Sequence, residues 1–71
     1  MNVQKIKGRM TELGISGTEM ARKLGIDPAT YYRRMKKNGD NFMVMDLMVF
    51  KRELNLDAKE ALDFLLDINS H

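Results

Sequence analysis

The sequence predicts an all-α fold of five short helices. Apolar residues recur at three- and four-residue spacing along most of the 71-residue chain, and no segment alternates apolar and polar residues for long enough to predict a strand. Capping residues and glycines divide the chain into segments of helical length. Because a chain of this size has room for one small core and contains no linker, we expect residues 1–71 to form one domain.

The first two helices are bounded by glycines and by a capping motif. Residues 3–13 have helical apolar spacing, and Gly14 is placed to end that helix because glycine adopts the left-handed conformation without a Cβ clash. Ser16 and Glu19 form a capping box, so a second helix is expected to start after Ser16 and to end at Gly25. Its inward face is expected to consist of Met20, Ala21 and Leu24.

Asp27 and Pro28 predict the start of a third helix. Aspartate is a strong N-cap, and proline is well placed in the first helical position, where its missing N–H costs nothing. The helix is expected over residues 28–37, followed by a loop over residues 38–41.

Two further helices complete the predicted fold. The fourth spans residues 44–53 and is ended by Asn55, and the fifth starts at Asp57, which has Glu60 at the position of a capping box. The apolar residues expected in the last helix are Leu62, Phe64, Leu65, Leu66 and Ile68, and Asn69, Ser70 and His71 are expected to fray.

The composition excludes several functional classes. The chain has no cysteine and one histidine, His71, so it can form neither a disulfide nor a cluster of thiolate or imidazole metal ligands. A general base is most often histidine, and we therefore expect no enzymatic activity and no cofactor. Asp63 and Asp67 are interpreted as an exposed acidic face. No apolar run approaches the ~20 residues of a membrane span, and none resembles a signal peptide, so a cytoplasmic location is expected.

The net charge of +2 conceals a strong asymmetry. Residues 1–37 carry nine basic and three acidic side chains, whereas residues 38–71 carry three basic and seven acidic ones. The N-terminal half therefore has a net charge of +6 and the C-terminal half one of −4. This division favours a polyanion as the partner of the first half, although two ordinary solvated surfaces would also account for it.

The second and third helices are separated by a very short turn. Only Gly25 and Ile26 lie between Leu24 and the N-cap Asp27, so the two helices must cross steeply, and Ala21 provides a small residue at the crossing.

Residues 17–35 resemble the helix-turn-helix of the lambda repressor and Cro-like family of phage and bacterial regulators. The resemblance rests on the spacing of apolar and small residues, and it extends over nearly the whole chain. Tyr31 and Arg34 depart from the family pattern, and Met35 is expected to supply the contact that Arg34 cannot make, through a rotated or slightly longer third helix. The matching residues are Met20, Ala21, Leu24, Gly25, Ile26 and Tyr31, with Gly14-Ile15-Ser16, Phe42 and Leu54-Asn55-Leu56-Asp57 around them.

The resemblance implies a DNA-binding domain that acts as a small Cro-type transcriptional repressor in a bacterial or phage-infected cell. Such a protein would act by occupying an operator in double-stranded DNA, as a homodimer on a near-palindromic site. The alternative that the sequence leaves open is a protein-interaction module, such as an antitoxin, an antirepressor or an adaptor, built on the same scaffold.

The helical spacing of the third helix indicates which residues would face DNA. At about 100° per residue, Tyr31 and Met35 fall on one side, and the small and basic residues fall on an arc of about 140° on the other side. Arg33 is long enough for a bidentate contact with guanine. The residues expected to read bases are Pro28, Ala29, Tyr32 and Arg33, and those expected to contact phosphates are Thr18, Lys36, Lys37 and Asn38.

Structural interpretations compete with these assignments. Tyr32 could simply cover the helix surface, and Arg34 could pair with Glu12 or Glu19 instead of DNA. Asp27 is best explained as a cap. Three cations of the first helix are interpreted as an ordinary solvated face: Lys5, Lys7 and Arg9.

The seven methionines allow two interpretations. We favour a core filled by flexible thioethers. The alternative is a surplus of apolar surface on the fourth helix, or on Phe64, Leu65 and Ile68, that packs against a second copy. The residues in question on the fourth helix are Met43, Met45 and Met48.

Overall fold

The structure, a computed structural model, describes residues 1–67. Within these residues the chain forms five helices and no strand, so the predicted all-α class is confirmed. In this described part, no helix has the length and apolar character needed to cross a membrane. The helices are α1 (Val3–Leu13), α2 (Gly17–Leu24), α3 (Pro28–Lys36), α4 (Val44–Glu53) and α5 (Ala58–Leu66).

The predicted helix starts are formed by the predicted capping residues. The Ser16 hydroxyl accepts the Glu19 backbone N–H at 3.1 Å, and the Glu19 carboxylate accepts the Ser16 N–H at 3.1 Å. Asp57 and Glu60 form the same reciprocal pair at the start of α5. These bonds satisfy backbone donors that have no partner within a helix, which is why the sequence located the starts correctly.

The turn between α2 and α3 is closed by backbone hydrogen bonds. Gly25 ends α2 in the left-handed conformation, at φ 74°, and the N–H of Ile26 donates to the carbonyl of Ala21 at 3.0 Å. Ala21 is fully buried where α2 packs on α3. Asp27 then caps α3, so that three residues connect the two helices.

The core lies between the five helices, each of which contributes at least one buried residue. Tyr31 is 2% exposed, and its hydroxyl donates to the sulfur of Met10 at 3.4 Å. Phe42 links Tyr31 to Phe50 through ring centroids 6.4 and 5.2 Å apart. The buried set is Ile6, Met10, Met20, Ala21, Tyr31, Met35, Phe42, Phe50, Leu54, Leu56 and Leu65.

The third helix is not longer than expected. Met35 is buried as expected, but α3 ends at Lys36, one residue before the predicted end. The backbone N–H of Lys37 donates to the carbonyl of Arg34 at 3.1 Å and tightens the last turn. Burial of Met35 therefore requires no longer helix.

The interpretation of the α1 cations as an ordinary solvated face is wrong for Arg9, which is half-buried, and incomplete for Lys5, which is exposed but paired. Lys5 pairs with Asp63, and Arg9 pairs with Glu60 and donates to the Leu54 carbonyl at 3.0 Å. Both cations also lie over the ring of Phe64, at 5.8 and 5.5 Å from its centroid. These contacts join α1 to α5. Asp63, consequently, is a half-buried ion-pair partner and not part of an exposed acidic face, whereas Asp67 and Lys7 are exposed.

The preferred interpretation of the methionines is wrong for α4. Met10, Met20 and Met35 are in the core, but the three methionines at the start and along the outer side of α4 are exposed: Met43, Met45 and Met48.

On α5 the apolar residues also divide differently from the expectation. Leu65 is buried and Phe64 is half-buried, while Leu62 and Leu66 are exposed. Leu65 packs inward against α4, so that only 6% of its surface is open to a second copy. The expectations for Ile68, Asn69, Ser70 and His71 lie outside the described residues.

Candidate nucleic-acid interface

One side of α3 is buried in the core and the opposite side faces solvent. Tyr31 and Met35 are buried, whereas Tyr32 is 50% exposed and Arg33 and Lys36 are exposed. Residues four apart lie on the same face of a helix, so Tyr31 and Met35 form the inner row and Tyr32 and Lys36 belong to the outer one. We call the exposed side of α3 (Pro28, Ala29, Tyr32, Arg33 and Lys36) the outer face of α3.

The start of α3 is small and tightly capped. Pro28 and Ala29 are exposed and carry no long side chain. The Asp27 carboxylate accepts the Ala29 N–H at 3.0 Å and the Thr30 hydroxyl at 3.2 Å. The one carboxylate at this end is thus engaged by the helix itself, in agreement with its interpretation as a cap.

Tyr32 lies against the first residue of α2, a contact that the sequence-based prediction missed. A Cβ atom added to Gly17 would lie 2.8 Å from Cζ and 2.9 Å from Cε1 of Tyr32, so only glycine leaves room for the ring. The Tyr32 ring also meets Tyr31 edge-on, with centroids 5.2 Å apart. The signal in the sequence was a glycine in the first position of a helix, where nothing in the capping box requires it.

The contact directs the Tyr32 hydroxyl toward the start of α2. There the backbone N–H groups of Gly17 and Thr18 have no acceptor within residues 1–67. The first N–H groups of a helix lack an acceptor within the helix, and the Ser16 hydroxyl accepts the N–H of Glu19 instead of theirs. The hydrogen bonds from Ser16 lower the pKa of the Glu19 carboxyl below its ordinary value, with smaller contributions from Arg22 and Lys23. Thr18 is exposed beside these free donors.

The end of α3 leads into a compact turn that holds the remaining predicted residues. Lys37 and Asn38 are exposed, and Asn38 has a left-handed backbone, at φ 58°. The N–H of Gly39 donates back to the carbonyl of Arg34 at 2.8 Å. Lys36, Lys37 and Asn38 are therefore held together at one end of the outer face of α3.

The cations of this region have no carboxylate partner in the described part of the chain. The ion pairs found among residues 1–67 involve Lys5, Arg9, Lys23 and Arg52, and none includes Arg33, Lys36 or Lys37. Unpaired cations on one surface favour an anionic partner.

Arg34 makes neither of the salt bridges considered for it. Its guanidinium lies 5.7 Å from the centroid of Phe42, and within the described residues it pairs with neither Glu12 nor Glu19. Half-buried over an aromatic ring, Arg34 supports the packing of α3 against the core.

Lys7 of α1 adds a cation next to the outer face of α3. Lys7 and Lys36 border the same groove of about 360 Å³, which runs between α1 and α3 beside Tyr32. The spacing within α1 gives no indication of this neighbour, because the approach of α1 to α3 depends on tertiary packing.

Comparison with family models, with curated proteins and with solved structures finds no significant match for this chain.

Proposed function

We propose that the chain binds double-stranded DNA in a sequence-specific manner through a helix-turn-helix formed by α2 and α3. The observation that carries this proposal is the outer face of α3, which combines small residues at the helix start with exposed cations that have no carboxylate partner in the described part of the chain. α3 has nine residues and is about 13 Å long at 1.5 Å per residue. The major groove is about 12 Å wide and accepts one helix of this kind.

In this proposal the N-terminal part of α3 reads the bases. Pro28 and Ala29 allow the first turn to approach the base edges closely. Arg33 makes a bidentate contact with O6 and N7 of a guanine, a pairing that discriminates by about 1–3 kcal/mol.

Tyr32 is better suited to a phosphate than to a base. Tyr32 could contact a thymine methyl through its ring or a phosphate through its hydroxyl, and the packing of the ring on Gly17 favours the phosphate over the base reading expected from the sequence. The hydroxyl then acts together with the free N–H groups at the start of α2 and with Thr18, which form an anchor for the backbone of the duplex.

A second phosphate anchor lies at the other end of α3. Lys36, Lys37 and Asn38 are grouped there, and Lys7 borders the same groove as Lys36. Contacts at the two ends fix the register of α3 on the duplex and leave sequence discrimination to Arg33 and its neighbours.

The biological role that follows is a Cro-like repressor. The protein would occupy an operator as a homodimer and exclude polymerase from it, without catalysis. It would act in the cytoplasm of a bacterial or phage-infected cell, where the operator lies.

A protein-interaction module is the second candidate function. The exposed methionines of α4 favour it, because flexible thioethers suit adaptable protein contacts. Such a module would bind its partner through apolar surface, and its affinity for that partner would depend little on the salt concentration.

The salt dependence of DNA binding tests the proposal. Fluorescence anisotropy with a labelled random duplex at several salt concentrations is expected to give a steep slope, about −0.9 per phosphate contact in a plot of log K against log [salt]. Lys36→Ala should reduce the magnitude of the slope by about 1. Lys59→Ala, which removes an exposed charge from α5, is the matched control and should leave the slope unchanged. An absence of DNA binding, or an affinity for DNA that does not change with salt concentration, contradicts the proposal and favours the interaction module.

Arg33→Ala tests base reading separately. On a duplex selected from a random pool, affinity should fall by about 1–3 kcal/mol and the preference at one base position should relax. On unselected duplex the loss should be clearly smaller. Equal losses on both duplexes would make Arg33 a phosphate contact.

A further inference from the structure

The outer side of α4 and the adjacent side of α5 carry an unusually large apolar surface. The exposed fractions of its members run from 41% at Leu62 to 73% at Val44. On α4, residues 44, 48 and 45 span about 100° of the helix surface, and residues 62 and 66 lie one turn apart on α5. We call this surface the α4–α5 patch; it consists of Met43, Val44, Met45, Met48, Leu62 and Leu66.

A groove between the two helices makes the α4–α5 patch continuous. It has a volume of about 260 Å³ and is formed by side chains of α4 and α5. Leu47 and Leu65 form its base, since both pack against the core. Met48 and Leu66 flank the groove, and among residues 1–67 Lys51 is the one charged residue that borders it.

We infer that a second copy of this chain covers the α4–α5 patch. A fully exposed Met, Leu or Val presents about 150–200 Å², so the six residues expose about 700 Å² per chain, close to the ~800 Å² that each partner of a stable complex contributes. Monomeric proteins seldom expose a contiguous apolar patch of that size. Projecting side chains and a groove lie side by side, so twofold pairing would place the flexible Met48 of each copy against the groove of the other.

The charge distribution favours a partner other than DNA for the α4–α5 patch. The half of the chain from residue 38 onward has a net charge of −4, and DNA would be repelled by it. The same charge opposes docking on an anionic lipid surface. The inference gives the proposed homodimer a defined interface, but it rests on the apolar surface and needs no DNA for its test.

Sedimentation equilibrium of the free protein tests the inference. The wild-type chain is expected to form a dimer with a dissociation constant of about 1–100 µM, at the weak end of the range for interfaces of standard size, because the patch is slightly smaller than such an interface. Met48→Glu and Leu66→Glu should each raise that constant at least about tenfold. Leu13→Glu is the matched control, because Leu13 is 47% exposed at the end of α1, and it should leave the constant unchanged. Circular dichroism verifies that each variant remains folded.

Cysteine cross-linking locates the interface without adding a charge. The chain has no cysteine, so Met48→Cys and Leu13→Cys each create a single thiol. Under mild oxidation at dimer-forming concentrations, the first variant should form a covalent dimer at least about tenfold faster than the second, because pairing raises the local concentration of one thiol at the other.

Several results would overturn the inference. A wild-type chain that remains monomeric at ~1 mM excludes pairing, and a dimer that both glutamate variants leave intact places the interface elsewhere. Assembly beyond the dimer contradicts a closed twofold contact. Since every measurement is made without DNA, loss of the dimer and loss of DNA binding are observed independently.

Discussion

Gly17→Ala is expected to destabilise the protein in the presence of Tyr32 and to stabilise it in the absence of that ring. Gly17 is the first residue of α2 and does not have a positive φ, so its backbone accepts alanine. The added methyl, however, would lie within 2.9 Å of two ring carbons of Tyr32, closer than van der Waals contact allows. The ring is half-exposed and can swing outward, so the substitution displaces Tyr32 without disrupting α2.

The magnitude follows from what the displaced ring loses. Tyr32 gives up its edge-on contact with Tyr31, at a centroid distance of 5.2 Å, and an aromatic pair of that geometry is worth about 0.5–1.5 kcal/mol. Lost burial against Gly17 adds to this. Replacing glycine by alanine where the backbone permits it contributes about 0.4–1 kcal/mol in the opposite direction. The net loss in the wild-type background is therefore about 0–1.5 kcal/mol.

A double-mutant cycle measures this coupling directly. Urea unfolding followed by circular dichroism is carried out on the wild type, Gly17→Ala, Tyr32→Ala and the double variant. In the Tyr32→Ala background, Gly17→Ala should stabilise by about 0.4–1 kcal/mol, which gives a coupling of about 0.4–2.5 kcal/mol. Additivity within about 0.3 kcal/mol would refute the contact between Tyr32 and Gly17.

Three further predictions concern the core and the capping box. Tyr31→Ala should lower the free energy of unfolding by about 3–5 kcal/mol in urea titrations, because the ring is buried, and an unchanged stability would mean that it is not. Burial, with a smaller contribution from Tyr32, raises the pKa of Tyr31 from 10.0 to about 12. The stability that comes from this raised pKa of Tyr31 is therefore complete below pH 10 and is lost as the pH rises through about 12. The Tyr32→Phe variant has Tyr31 as its one tyrosine, and the tyrosinate absorbance of the folded variant should appear well above pH 10. Ser16→Ala should cost about 1 kcal/mol of stability and raise the lowered pKa of the Glu19 carboxyl, as an NMR titration would detect.

The helix boundaries were predictable because they depend on local chemistry. Ser16 with Glu19, Asp27 with Pro28, and Asp57 with Glu60 satisfy backbone donors within a few residues of chain, and each occupies the predicted position. The burial of Tyr31 and the exposure of Tyr32 followed from helical geometry in the same way.

Contacts between distant helices were not predictable from spacing. Lys5 and Arg9 lie on the outer side of α1 by periodicity, yet both pair with α5 and stack on Phe64, more than fifty residues later in the chain. The contact of Tyr32 with Gly17 is of the same kind, since it depends on the crossing of α2 and α3. Periodicity shows which side of a helix avoids water, but it does not show which element packs against the polar side.

The methionines of α4 show how far composition can mislead in a small domain. Seven methionines in 71 residues suggested thioethers filling an irregular core, yet α4 directs Leu47 and Phe50 toward that core instead of its methionines. Met45 and Met48 are consequently directed into solvent, where apolar side chains gain nothing from folding. They can lower the free energy of the system only when another surface covers them. The aromatic core and the α4–α5 patch are therefore linked: the side of α4 that supplies Phe50 to the core leaves the opposite side of the helix apolar and uncovered, and in the proposed dimer a second copy covers it.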